Sequence, residues 1–162
     1  MQRRLMLMRH AKSSWQSPAP TDHERSLNKR GRRDAQRVGK RLTEIGWVPD
    51  LVMGSDSRRT QETWERMQKH FPDVRVSFAR ALYLGGPAEL RTEVARVSAD
   101  VRTVLVLGHN PGWEEAVKAL SGREVEMTTA NAVLLEGKGA TWGEALRRGR
   151  WSVVGVVRPK EL

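Results

Sequence analysis

Cysteine is absent from the 162 residues, which excludes disulfides and thiolate metal sites outright. Long apolar runs are missing as well. Arg3 and Arg4 precede an apolar run over 5–8 that is far too short for the core of a signal peptide. No stretch reaches the length of a membrane span, so a soluble, cytoplasmic chain without a membrane partner is expected. Walker-type and dinucleotide-binding glycine patterns are also missing. There is no internal repeat, long linker or composition break, and the expectation is one domain over 1–162. Aromatics make up only 6%, but six Trp spread along the chain argue against disorder.

What the chain has is positive charge. Twenty-nine basic residues against 19 acidic ones give a formal +10, a balance that favours anionic partners. Arg25, Lys29, Arg30, Arg32, Arg33, Arg37, Lys40 and Arg41 crowd one segment. Aromatics are not interleaved there as a base-stacking surface would need, so a solvated helix face ranks ahead of nucleic-acid binding.

Residues 5–8 read as a short buried strand of a parallel sheet and run straight into Arg9 and His10. Open α/β sheets bind ligands beyond the carboxyl ends of such strands. A loop with Pro18 and Pro20 follows, then a helix capped by Ser26 or Asn28 and running to about Ile45, where Gly46 stops it. Gly31 and Gly39 weaken that helix by about 1 kcal/mol each. A second buried strand over 50–55 leads into a helix to about His70, capped by Ser55, Asp56 or Ser57, with Arg58 or Arg59 in its first turn. Residues 74–78 alternate as an edge strand does, and a helix is expected over 88–97. The strongest strand, 103–107, ends in Gly108-His109-Asn110-Pro111, with a helix to about Leu120 beyond. Further strands over 132–135 and 151–157 are separated by a Gly-rich segment over 137–143. Strands alternating with helices make an α/β sandwich.

Three strand ends thus carry Arg9 with His10, Ser55 to Arg59, and His109. If the strands are parallel neighbours, these groups converge at one end of the sheet. Two histidines and two arginines suit a dianionic phosphoryl group better than a metal, for which only Asp22 and His23 are further candidate ligands. Singly, each residue has a bland structural role. Together, at the ends of separate apolar strands, they are hard to dismiss.

With these residues in view, the chain resembles the histidine phosphatase superfamily, and within it the small SixA-type phosphohistidine phosphatases. Arg9-His10-Ala11 looks like the family's first motif, with Lys12-Ser13-Ser14-Trp15 pointing to the SixA-type branch. Leu27-x-x-x-Gly31 resembles its helix-entry element. Ser55-x-x-x-Arg59-Thr60-x-x-Thr63 resembles its second arginine motif, and Gly108-His109-Asn110-Pro111 its second-histidine motif. The resemblance spans residues 5 to about 135. It implies a three-layer α/β/α sandwich with a mostly parallel central sheet, phosphoglycerate mutase-like, and no cofactor or metal. His10 would attack phosphorus while Arg9, Arg59 and His109 clamp its oxygens, with Ser13 or nearby backbone N–H groups orienting the substrate. A neutral His10 and a protonated His109 are expected, their pKa values pushed apart.

The carboxylic general acid of the mutases is missing from both of its places, which read Ala81-Leu82-Tyr83-Leu84 and Asn110-Pro111. An imidazole leaving group, whose conjugate acid has a pKa of about 6.5, needs that acid less than an alkoxide does. The departure favours phosphohistidine on a protein as substrate, with water or Glu89 supplying any proton. A broad phosphomonoesterase, a catalytically silent phosphate-binding module and a basic nucleic-acid-binding domain are the competing readings. Short connections over 85–87 and 121–127 leave the expected pocket shallow and open to a phosphorylated protein partner. The oligomeric state and the partner's identity have no signal in the sequence.

Overall fold

The computed structural model describes residues 1–16, 19–148 and 150–162; Ser17 and Pro18, within the loop expected after the first strand, lie outside them. The strands are β1 (Gln2–Arg9), β2 (Leu51–Ser55), β3 (Arg75–Ala79), β4 (Thr103–Gly108), β5 (Ala132–Lys138) and β6 (Ser152–Val157). They form one sheet in the order β3-β2-β4-β1-β5-β6. β3, β2, β4 and β1 are mutually parallel, β5 is antiparallel to β1, and β6 is antiparallel to β5. The sheet is therefore mixed but mostly parallel, as the α/β pattern implied, with β3 at one edge.

Helices α1 (Lys29–Glu44) and α2 (Arg58–Met67) cover one face, and α3 (Pro87–Val94), α4 (Gly112–Ser121) and α5 (Trp142–Arg148) cover the other. Strand alternation divides β1 between the two layers. Leu5 and Leu7 pack toward Trp113, Val117 and Trp142, whereas Met6 and Met8 pack toward Val38, Leu42 and Trp64. Burial on both faces is why residues 5–8 form a continuous apolar run. The order β2-β4-β1 brings the three strand ends that carry polar residues side by side.

Two expectations need correction. β1 begins at Gln2 because Arg3, fully buried, belongs to it. Its guanidinium donates to four carbonyls, those of Gly139, Ala99, Val101 and Ala140, so each of its three nitrogens has an acceptor despite burial. The Gly-rich connection between the last two strands also contains α5. Trp142, Ala145 and Leu146 are buried there at helical spacing, a short stripe hidden among Gly137, Gly139 and Gly143.

Caps fix where the helices meet the site. Asn28 accepts from the Gly31 N–H at 2.8 Å to start α1, and Ser57 accepts from the Thr60 N–H at 3.4 Å to start α2. Gly46, at φ +79°, closes α1 as the sequence indicated. Gly31 has a second reason to be glycine. A Cβ there would stand 2.1 Å from the carbonyl oxygen of Lys12, so the first turn of α1 packs backbone to backbone on the segment that follows His10.

Gly31→Ala tests that contact. Helix propensity alone would add about 1 kcal/mol of stability. The clash should outweigh it, for a net loss of about 1–3 kcal/mol in urea unfolding. A midpoint equal to or above that of the parent protein contradicts the close approach.

Candidate active site

The end of β1 is tied down on three sides. The Arg9 N–H donates to Asn131 O, the His10 N–H to Gly108 O, and the Ala11 N–H to the Thr63 hydroxyl on α2 at 3.0 Å. The Thr63 hydroxyl in turn donates to Arg59 O at 2.7 Å. The nucleophile candidate and the α2 arginine are thereby set on one rigid frame.

His10 Nδ1 lies 2.7 Å from the carbonyl oxygen of Ala11, an acceptor only, so Nδ1 carries the proton. Nε2 is left with its lone pair and receives the Arg59 Nε–H at 3.3 Å. Arg59 is buried, and its Nη2 also donates to His109 Nδ1 at 3.4 Å. A guanidinium only donates, so His109 Nδ1 is bare and Nε2–H donates to Ser55 Oγ at 2.7 Å. The two imidazole rings lie 5.2 Å apart between centroids. Arg9 sends Nη1 to Met127 O at 3.2 Å, while its buried Nε has no partner among the described residues. A buried charged donor without an acceptor is costly and suits a pocket awaiting an anion.

Burial, the neighbouring imidazole, Arg59 and Arg9 push His10 down to about 3. Burial, Arg59 and Arg9 bring His109 to about 3 as well, despite the opposing charge of Asp22. The expected separation of the two pKa values is not found. Both rings sit among the same two guanidiniums, so both are held neutral. A bound phosphoryl dianion would reverse the field at His109 and favour its charged form.

The sequence reading singled out Arg9, His10, Arg59 and His109, and the fold brings them together. Ser13 is placed differently. Its Oγ accepts from Arg25 Nη1 at 2.6 Å, and its backbone bridges to Leu27. The N–H groups after His10 do not open a helix, since α1 starts only at Lys29. Glu89 is also occupied, accepting the Gly86 N–H at 2.7 Å at the start of α3. Asp22 and His23 separate: His23 pairs with Asp56 at 2.6 Å, and Asp22 with Arg59. Among the described residues, no group of three or more His, Asp or Glu is placed to hold a metal.

Asp22, Arg25 and Tyr83 are site members that the sequence reading did not assign. Arg59 Nη1 donates to Asp22 O at 2.7 Å and Nη2 to Asp22 Oδ2 at 3.1 Å. Tyr83 OH donates to the same Oδ2 at 2.5 Å, and Arg25 Nε to Oδ1 at 3.0 Å. Burial works against the charge of Asp22, but the hydrogen bonds from Tyr83, Arg25 and Arg59 hold its carboxyl well below the usual range. The Tyr83 ring meets His109 edge-on at 5.4 Å. One signal was available, because Tyr83 is the chain's only tyrosine and stands where the mutases carry their acid.

The geometry defines a class of protein: an α/β sheet with two neutral imidazoles and two guanidiniums gathered beyond its parallel strand ends. Comparison with known proteins gives that class a family. Residues 5–82 match the model of the histidine phosphatase superfamily (branch 1). An uncharacterised chloroplastic protein of Arabidopsis thaliana is 40% identical over 170 residues, covering 97% of this chain and 78% of that protein. The mitochondrial serine/threonine-protein phosphatase PGAM5 of Xenopus tropicalis is 33% identical over 98 residues, 60% of this chain but only 34% of that protein. A candidate phosphohistidine phosphatase SixA from Nakamurella multipartitia superposes with a TM-score of 0.87 at 29% identity, covering 98% of this chain and 97% of that one. The chain belongs to the histidine phosphatase superfamily, and its fold is SixA-like. Membership places it with the phosphatases. The expectation of a cytoplasmic setting gains no support, since one relative is chloroplastic. Among the described residues, no helix is long and apolar enough to cross a membrane.

The lowered histidine pKa values set a pH dependence. The folded chain binds fewer protons than the unfolded one between pH about 6.5 and about 3, so stability falls as pH drops through that window. His109→Gln removes one of these groups and should flatten the fall, read as urea midpoint against pH. An unchanged slope would mean that His109 is not held neutral.

Proposed function

We propose that the protein hydrolyses phosphohistidine on a protein substrate, without a metal, through a phosphohistidine intermediate on His10. The observation that carries this reading is the tautomer of His10. Ala11 O holds the proton on Nδ1, so Nε2 keeps its lone pair, on the side of the ring where Arg59 donates to it and to His109. In the first step Nε2 forms a bond to phosphorus as the bond to the leaving imidazole breaks. In the second, water attacks phosphorus, the N–P bond breaks, and inorganic phosphate leaves. His10 recovers its lone pair.

Charge on the three equatorial oxygens is met by Arg59, by the unpartnered Nε of Arg9, and by His109 as it takes up a proton. Two guanidiniums already supply the cationic field that a metal would provide elsewhere. Ser13 contributes at one remove, holding Arg25, which holds Asp22, which fixes Arg59. Asp22 is held ionised and accepts hydrogen bonds, so it has no proton to give. Glu89 is committed to its helix cap. The engagement of Asp22 and Glu89 supports a leaving group that departs without strong acid assistance, as an imidazole protonated on its other nitrogen does and an alkoxide does not.

Incubation with radiolabelled phosphoramidate should label His10 at Nε2, and His10→Ala should take no label. Label on another residue would remove the core of the reading. A phosphohistidine protein should exceed a sugar phosphate in kcat/KM by at least roughly tenfold, about 1.4 kcal/mol. Equal values would favour the broad phosphomonoesterase. Glu89→Gln should leave phosphohistidine turnover unchanged, and a large fall would restore Glu89 as the acid.

A further inference from the structure

The positive charge is not spread over the molecule. Residues 25–41 hold eight basic side chains and one acidic one, seven of the chain's ten net charges. That one acid, Asp34, is buried at 6% side-chain exposure beneath Arg30, Arg33 and Arg37, so it does not break up the outer surface. α1 and α2 meet along this surface. Between them runs a groove of about 370 Å³, lined by Lys29, Arg32 and Arg33 of α1 and by Arg66 and Lys69 across from them, with Glu65 as its one acid. Lys29, Arg33, Arg66 and Lys69 are exposed.

The groove is mechanically continuous with the site. Arg32 Nη1 donates to Leu27 O at 3.0 Å, and Leu27 bridges to Ser13, three residues beyond His10. The Leu27 N–H donates to Glu62 on α2 at 3.0 Å. Both helices start at the sheet end where His10 and Arg59 stand, and Lys29 opens α1 there. Arg66 and Lys69 lie about two to three helical turns beyond Arg59, so the groove leads away from the site along a path of about 10–15 Å that a protein partner spans.

We infer that this groove docks an acidic surface of the protein that carries the phosphoryl group. The inference rests on the phosphatase reading above and adds the chemistry of its partner. Complementary charge raises the rate of encounter and orients the partner, and salt weakens it. An acidic protein fits better than a nucleic acid. Among the described residues, no aromatic side chain lines the groove for bases to stack on. Glu65 also interrupts the cationic lining, which suits carboxylates spaced along a helix or loop better than a continuous phosphodiester backbone.

Two synthetic peptides, each with one phosphohistidine, test this: one with Asp and Glu flanking it, one with Gln in their place. The protein should turn over the acidic peptide with a kcat/KM higher by roughly tenfold at low salt, the advantage shrinking as NaCl rises. The variant K29Q/R33Q/R66Q/K69Q changes exposed side chains only. It should lose the preference while turning over the Gln peptide as the parent does. Equal use of both peptides by the parent protein, or a preference kept by the variant, overturns the docking proposal and leaves the phosphatase reading standing. Turnover of neither peptide sinks the phosphatase reading instead. Docking is then judged by fluorescence anisotropy of the unphosphorylated acidic peptide, which the parent should bind and the variant should not. A labelled 20-base-pair DNA duplex that binds more tightly than the acidic peptide, with binding lost in the variant, overturns the choice of partner.

Discussion

One buried guanidinium holds the site together. Arg59 reaches both histidines, the backbone and carboxylate of Asp22, and through its own carbonyl the Thr63 hydroxyl that grips Ala11. A guanidinium is a planar fork of donors that keeps its charge when buried, and no other side chain could serve this many acceptors in one place. Without it His10, His109 and Asp22 would have no common partner. The segments from β1, β2, β4 and the loop before α1 would then meet without an arrangement that makes their side chains useful.

That cation also governs the protonation of its neighbours. With Arg9 it forms a field in which a charged imidazole is unfavourable, and burial adds to the penalty. Each imidazole thus presents a lone pair in place of a proton. The positive charge of the site is balanced in part by Asp22, which Tyr83 and Arg25 keep in its acceptor form. Two guanidiniums gathered beside neutral imidazoles suit an anion, and Arg9 Nε, buried without a partner among the described residues, is the plainest sign of it.

Most of the architecture was legible in the sequence because local rules governed it. Runs buried on both faces read as strands, Asn28 and Ser57 stood among the candidate caps, and Gly46 read as a stop. The misses have physical reasons too. Arg3 looked like flanking charge because a chain of letters does not show four carbonyls converging on a guanidinium. α5 was hidden because its short apolar stripe lies among glycines that close packing, rather than turn geometry, requires: a Cβ on Gly137 would strike Trp151, and one on Gly139 would strike Ala145.

The sequence by itself determined the α/β pattern and the presence of Arg9, His10, Arg59 and His109 at the ends of apolar segments, since both follow from periodicity and residue type over short windows. Tertiary structure decided the rest. It put β2, β4 and β1 side by side, buried Arg59 while leaving its neighbour Arg58 exposed, and brought Asp22 and Tyr83, 61 residues apart, onto one carboxylate oxygen. It also left both imidazoles neutral. Hydrogen bonds and fields act through space over a few ångströms, and only the folded chain fixes which distant residues come that close.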